Sequence, residues 1–324
     1  MQRRSLLAAV GATALAAHPV LRAQGAYPQK PITLVVPSAP GGTTDFTARL
    51  IADGLSRALG QPVVVDNKAG AAGNIGNQFV ARARPDGHTL LVAYSGYQVG
   101  NPHLFANAGW DPIKDFTPVA MLTRAPQLIV TRAGLQPNTL AELVAHAKAN
   151  PGRLNYASSG NGSIQHIAGE LFKQLTGTFI THIPYRGAGP AVQDLLGGQV
   201  DLFITTPASV VQQVKAGKLK ALAVTSATRL AALPQVPTAV EAGLKGFNLD
   251  SWFALYGPAG LPADVVQTLS AEIGKLLALP DTRRRAEESG TAVEQMAPTQ
   301  LADFTRKELD HWGKVIKASK ITAE

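Results

Sequence analysis

From Ile32 onward the chain alternates short runs of β-branched residues with longer stretches whose apolar residues fall at helical spacing. Strand–helix units with largely parallel sheets read this way in sequence. The first unit sets the scheme. Residues 32–36 predict a strand, 37–44 a loop rich in Gly and Pro, and 46–59 a helix with Phe46, Leu50, Ile51, Leu55 and Leu59 on one face, stopped by Gly60. A strand at 63–65, a glycine-rich stretch at 67–76, a helix through Arg84 and a strand at 89–94 follow. After a loop rich in Gly, Asn and Pro, a second series predicts strands at 127–130, 154–157, 179–183, 200–205 and 221–225. Helices at 140–149, 163–175, 190–196 and 208–216 lie between them.

So many strands are expected to form two sheets rather than one. Past Trp252 the pattern gives one short apolar strand and then helices. One starts near Pro262 with Val265, Val266, Leu269, Ile273 and Leu276 on its apolar face; the last covers 301–316, with Phe304, Leu309, Trp312 and Val315 inward. Helices without strands of their own must cover a sheet already built. The expected division is therefore a discontinuous first domain, 27–123 and 254–324, around a second domain, 124–253.

Residues 1–26 do not fit this alternation. Arg3-Arg4 precede an uncharged Ala/Leu stretch from Leu6 to Ala17 and a small-residue region at 23–26, the pattern of a secretory signal peptide. Twelve apolar residues rise only about 18 Å as a helix, short of a hydrocarbon core of roughly 30 Å, so cleavage rather than anchoring is expected. The paired arginines are equally compatible with a twin-arginine address. Either route leads to the periplasm. Loss of Arg3, Arg4 and Arg22 with this segment changes the formal charge from +8 to +5, since 27 basic residues then face 22 acidic ones. That modest excess favours small anions and argues against a nucleic-acid partner. The dense basic run Arg283-Arg284-Arg285 is followed by Glu287-Glu288 and reads as a solvated helix face.

With no Cys, the chain has no disulfide framework, thiolate metal site or cysteine nucleophile. Motifs for phosphate cradles, serine-nucleophile elbows and zinc proteases are missing. Gly70, Gly73 and Gly76 have the spacing G-x-x-G-x-x-G, not that of a dinucleotide fingerprint, and no cofactor is expected. His166 and Glu170 lie one helical turn apart but lack a third nearby metal ligand, so a hydrogen-bonded pair is expected. Asp45, Asp201 and Asp250 read as cap, strand-end and turn residues rather than as an acid–base set.

The loops between strands and helices carry more information. Ser38-Ala39-Pro40-Gly41-Gly42-Thr43-Thr44-Asp45 brings two glycines and several hydroxyls to a helix start, where close backbone approach and partial positive charge suit a carboxylate. The stretch with Gly70, Ala71, Gly73 and Asn74 repeats the device. So do Ser158 to Ser163 with Gly160 and Gly162, and Tyr185-Arg186-Gly187. Ser95, directly after the predicted strand 89–94, and Thr205, at the end of the strand 200–205, are also expected to contact the ligand. Ser38, Pro40, Gly41, Gly42 and Thr43 are expected at one ligand end, with Ser158, Gly160, Gly162, Ser163 and Gly187 at the other. Asp45 is read as a helix cap and Arg186 as a solvent-facing residue, with ligand contact an equal alternative for both, and His166 as a group orienting a loop or a water.

Taken together, several segments resemble the extracytoplasmic solute receptors of the Bug family, similar to the TctC component of tripartite tricarboxylate transporters. They are Tyr27-Pro28, Lys30-Pro31-Ile32, Pro40-Gly41-Gly42 with Asp45, Val65-Asp66-Asn67-Lys68, Pro85-Asp86-Gly87-His88-Thr89-Leu90, His182-Ile183-Pro184-Tyr185-Arg186-Gly187, Gly198-Gln199-Val200-Asp201 and Val236-Pro237-Thr238. The resemblance implies a type II periplasmic-binding-protein fold, with two α/β domains, two crossing strands and a ligand cleft. It implies carboxylates held by amides, hydroxyls and water rather than by ion pairs. The expected function is that of a non-enzymatic, monomeric receptor that delivers a small carboxylate to a membrane permease. The ligand could be a di- or tricarboxylate, an aromatic carboxylate or an acidic amino acid. A sensor kinase as the partner is the alternative, and an exported hydrolase of carboxylated substrates is the rival from another class.

Overall fold

Strands form where the β-branched runs lie, and helices where apolar residues recur every three or four positions. A computed structural model describes residues 27–318 and 321–322; the expected leader, 1–26, lies outside the described residues. In chain order the elements are β1 (Ile32–Val36), α1 (Thr43–Leu59), β2 (Val63–Asn67), α2 (Asn74–Ala81), β3 (Thr89–Tyr94), α3 (Asn101–Leu104), β4 (Phe116–Pro126) and β5 (Leu128–Arg132). Next come α4 (Leu140–Ala149), β6 (Asn155–Ser158), α5 (Ile164–Thr176), β7 (Thr181–Pro184), α6 (Ala188–Leu196), β8 (Leu202–Thr205), α7 (Val211–Lys215) and β9 (Leu219–Val224). The chain closes with β10 (Asp250–Pro258), α8 (Ala263–Ala278), α9 (Pro280–Glu288), β11 (Ala292–Val293) and α10 (Pro298–Ala318).

Two sheets result. The first has six strands in the order β11-β4-β10-β3-β1-β2, and the second five in the order β7-β6-β8-β5-β9. Strand β1 runs parallel to β2 and β3, and β6 parallel to β7 and β8, as expected of strand–helix units. Antiparallel pairs complete each sheet: β10 lies between β3 and β4, and β5 between β8 and β9. The chain thus passes from the first sheet to the second between β4 and β5 and returns at β10. Helices α1 and α8 bury Ile51, Leu55, Leu269 and Ile273 on one face of the first sheet, while Ala191, Leu195 and Val211 cover one face of the second. One apolar cluster runs through both halves, from Val35, Leu91 and Tyr94 to Tyr156, Ile167 and Ile204. This continuity holds the two sheets together around the space between them.

Several expectations are corrected. Residues 96–104 are not a loop: a π-helical turn at Gly96–Gly100 leads into α3. Helix α2 begins at Asn74, inside the stretch assigned to a glycine-rich loop. Residues 208–216 form a 3₁₀ turn at Pro207–Ser209 followed by the short α7 rather than one helix. Eleven-residue β4 went unrecognised, because Pro118, Thr123 and Arg124 interrupt its apolar pattern; β10 and β11 pair with it and supply what periodicity does not. The expected domain boundaries at 123/124 and 253/254 fall inside β4 and β10. On α9, Arg284 pairs with Asp281 and Glu288 on an exposed face.

Candidate functional site

Open α/β sheets present ligands to the loops beyond the carboxyl ends of their strands. Here β1 leads into 37–42 and α1, while β7 leads into 185–187 and α6, and the two helix starts meet. A Cβ placed on Gly42 would lie 3.4 Å from the Ala188 Cβ and 3.8 Å from the Ala188 nitrogen. Gly187 also packs against Ser38 and Ala39, whose N–H donates to the Arg186 carbonyl at 3.1 Å. The N-cap residues are Gly42 and Gly187, and no side chain caps either helix. First-turn amides have no intrahelical acceptor, so both mouths direct unspent donors and partial positive charge into one space.

That space is a narrow cavity between the sheets, lined by Ser38, Gly42, Thr43 and Thr44 from one side and Ser159, Gln165, Ala188 and Thr206 from the other, with Tyr94, Tyr97 and Phe253 as aromatic walls. No ionisable acid, Lys, Arg or His is among these lining residues. Thr43 Oγ1 meets Thr206 Oγ1 at 2.6 Å and Ser209 Oγ at 3.2 Å. The Tyr97 hydroxyl donates to the Ser159 carbonyl at 2.7 Å, and that of Tyr94 to Gln165 Oε1 at 2.7 Å. With these bonds across the gap, the cavity leaves ≈ 20 Å³, about one water. Entry of an organic anion therefore requires the halves to part.

A larger groove, ≈ 980 Å³, lies between α8 and the start of α10. It is open and mostly apolar. The cleft, where the chemistry for an anion converges, is the candidate site despite its smaller size.

The structure brings Ser38, Gly42 and Thr43 to the cavity, and Gly187 to its edge. Pro40 and Gly41 line an adjoining crevice with Gly189 and Ser209. Asp45 is not the N-cap: it sits in the first turn of α1, where one carboxylate oxygen accepts the Gly41 N–H at 3.2 Å and pairs with Arg49 at 3.0 Å. It shapes the loop. Gly70, Ala71, Gly73 and Asn74 lie outside the lining; Gly73 packs under the Tyr97 ring, and Asn74 Oδ1 accepts from Asn101 and Trp110. Ser95 accepts the Trp252 N–H, and the Tyr185 hydroxyl donates to Asp194. Thr205 is fully buried, one residue from the lining Thr206, and its hydroxyl has no partner among the described residues. The Arg186 side chain is exposed, and only its carbonyl takes part.

The Ser158–Ser163 loop is internally bonded. The Gly160 N–H donates to Ser158 Oγ, the Gly162 N–H to His166 Nδ1, and Ser163 Oγ caps α5 at the His166 N–H. Behind it, Tyr156, His182 and His166 stack, the two imidazoles 4.1 Å apart and 12° from parallel. Burial pushes the His182 pKa down to about 3, helped by the neighbouring imidazole, and lowers that of His166. Both rings are neutral at pH 7, as the acceptor role of His166 requires. His166 and Glu170 are not a mutual pair, since Glu170 is engaged by Tyr156 and Lys173. His182 Nε2 lies 2.7 Å from Ser158 Oγ, a contact that fixes the loop.

Sequence reasoning missed Thr44, Tyr94, Tyr97, Ser159, Gln165, Ala188, Thr206 and Phe253. Tyr94 and Tyr97 carried a usable signal: they stand three residues apart at the carboxyl end of a parallel strand, where ligand-facing residues collect.

The comparisons agree with this geometry. The family model described as the tripartite tricarboxylate transporter family receptor, TctC, matches residues 47–321. BugT of Bordetella pertussis is 37% identical over 321 residues, covering 98% of both chains. Rpa4515 of R. palustris, solved with adipate, superposes with a TM-score of 0.89 at 36% identity, over 91% of this chain and 99% of its own. MatC of Rhodopseudomonas palustris, solved with malate, gives 0.85 at 37% identity, over 90% and 100%. With its two mixed α/β sheets and uncharged cleft between them, the chain belongs to the TctC family of tripartite tricarboxylate transporter receptors.

Proposed function

We propose that this protein captures a small organic carboxylate between its two halves and presents the closed, loaded form to a permease of the tripartite tricarboxylate type. The ligand is bound and released without turnover. The carrying observation is the pair of side-chain-free helix starts, at Gly42 and Gly187, that face one uncharged cavity. Hydrogen bonds to a charged group contribute about 1.5–3 kcal/mol each. Three or four amides and hydroxyls thus support micromolar binding after association costs, without an ion pair. The adipate and malate held by relatives fit the same chemistry.

In this reading, residues 27–123 with 254–324 and residues 124–253 move as two bodies that close on the ligand, and the leader at 1–26 directs export to the periplasm. Ser38, Gly42, Thr43, Thr44 and Ala188 hold the anion, while Tyr94, Tyr97, Ser159, Gln165, Thr206 and Phe253 enclose the remainder.

Native mass spectrometry of freshly purified protein, followed by thermal-shift assays against a carboxylate panel, tests this reading. A ligand at about 100 times its dissociation constant is expected to stabilise by about 2.7 kcal/mol. A silent panel, or turnover of a bound carboxylate, would contradict it.

A further inference from the structure

Three helix starts approach the cleft, and they differ in whether their donors are spent. Those of α1 and α6 have glycine N-caps and no side-chain acceptor. At α5, by contrast, the Ile164 N–H donates to the Tyr94 hydroxyl at 2.9 Å. The same hydroxyl donates to Gln165 Oε1, which also accepts from Ser159 Oγ at 2.8 Å. The preceding N–H groups of Gly160, Gly162 and Ser163 are taken by Ser158 Oγ, His166 Nδ1 and the Gly160 carbonyl. Tyr94 reaches α5 from the opposite wall, at the end of β3. Its ring is fixed edge-on to Tyr97 at 4.9 Å and stacked on Phe253 at 5.6 Å.

We propose that Tyr94 determines ligand class by filling the α5 mouth, so that the cleft seats one carboxylate, at α1 and α6, and a neutral hydrogen-bonding group at the other end. This rests on the carboxylate-receptor reading above. At the Tyr94 end a ligand meets two acceptors, Gln165 Oε1 and Ser159 O, beside one neutral donor group, the Gln165 amide nitrogen. A second carboxylate there would lose its water facing like partial charge, with no cation to offset the loss. A hydroxyl both donates and accepts and meets no such penalty. Burial pushes the phenols upward, Tyr97 to about 12, so both stay protonated and neutral across physiological pH. Adipate and malate carry two carboxylates, and the proposal sets this chain apart from the two relatives that hold them.

The test is isothermal titration calorimetry of wild type and Tyr94→Phe with three matched pairs: 4-hydroxybutyrate and succinate, 6-hydroxyhexanoate and adipate, 4-hydroxybenzoate and terephthalate. In wild type, the hydroxy acid of the best-binding pair is expected to bind at least about tenfold tighter than its dicarboxylate, a difference of about 1.4 kcal/mol. Tyr94→Phe keeps the ring and frees the Ile164 N–H, so the ratio is expected to shift toward the dicarboxylate by about tenfold. A dicarboxylate that binds wild type as tightly as its partner, or a ratio unchanged in the variant, overturns the proposal. Binding by none of the six removes the carboxylate-receptor reading as well. If Tyr94→Phe fails to fold, the wild-type ratio alone still decides.

Discussion

Gly189 shows how a single hydrogen can decide whether the halves meet. A Cβ on this residue would overlap the Pro40 carbonyl oxygen on the facing loop. Backbone oxygen cannot step aside as a flexible side chain can. Yet Gly189 lies in α6, where Ala is preferred to Gly by about 1 kcal/mol. Gly189→Ala is therefore expected to leave the halves folded and to block their closure, weakening ligand binding by at least about tenfold, or about 1.4 kcal/mol. Calorimetric titration beside a thermal melt separates the two effects; undiminished affinity would show that the loops do not need to touch. His182 allows a second test at this scale. Its pKa falls from the ordinary 6.5 to about 3 on folding, so between those values the unfolded chain binds more protons. Stability must then rise with pH across this window and be lost as pH falls through it. The His182→Phe variant keeps the stack and removes the titration. Its melting temperature is expected to fall less steeply than that of wild type between about pH 6.5 and 4, and parallel curves would refute the assignment.

At the level of elements, the link between β2 and α2 stores strain. Ala71 and Ala72 sit at φ 46° and 51°, between Gly70 and Gly73, which are also at positive φ. The left-handed region costs a residue with a Cβ roughly 1–2 kcal/mol. Asn101 holds the turn through the Ala72 carbonyl, and Gly160 of the opposite half packs against Ala72. Replacing Ala72 with Gly is expected to raise stability by up to about 1 kcal/mol in urea melts, after the entropy of a freer unfolded chain is subtracted. A loss would mean that the Ala72 methyl contributes packing that outweighs its strain. The same region shows what sequence reveals and hides. The strand–helix alternation reveals β1 and β3 as short apolar runs buried on both faces, and α1 and α4 as helices with one buried face. Strand β4 stayed hidden because its neighbours, not its own pattern, stabilise it, and the Gly96–Gly100 turn because Gly-Tyr-Gln-Val-Gly is too short and too rich in Gly to show a helical stripe. Within the site, Gly42 and Thr43 were legible as loop chemistry. The α5 loop carries the same residue types, but its donors are turned inward, a matter of partners that composition does not encode. For Tyr94 and Tyr97 the position at a strand's carboxyl end is legible, but the partners on the opposite wall are not.

The molecule as a whole relies on dipoles and neutral groups in place of an ion pair. No charged side chain lines the cleft, so the field acting on a ligand comes from helix mouths a few ångströms away, inside a region that salt does not enter. Affinity is accordingly expected to change by less than about threefold between ~0.05 and ~0.5 M salt, whereas a site built on exposed Lys or Arg would lose far more. Titrations across that range check this, and a steep dependence would point to a cation outside the lining described above. Closure joins the scales: Thr43–Thr206 and Tyr97–Ser159 bonds span the gap, and the glycines at 41, 42, 187 and 189 let the backbones meet. A crystal structure of the protein with its tightest-binding carboxylate tests the central claim most directly. The account predicts a carboxylate oxygen within hydrogen-bonding distance of amide N–H groups at both Gly42–Thr44 and Ala188. A ligand seated in the groove beside α8, or one whose carboxylate is held by a Lys or Arg side chain, would contradict it.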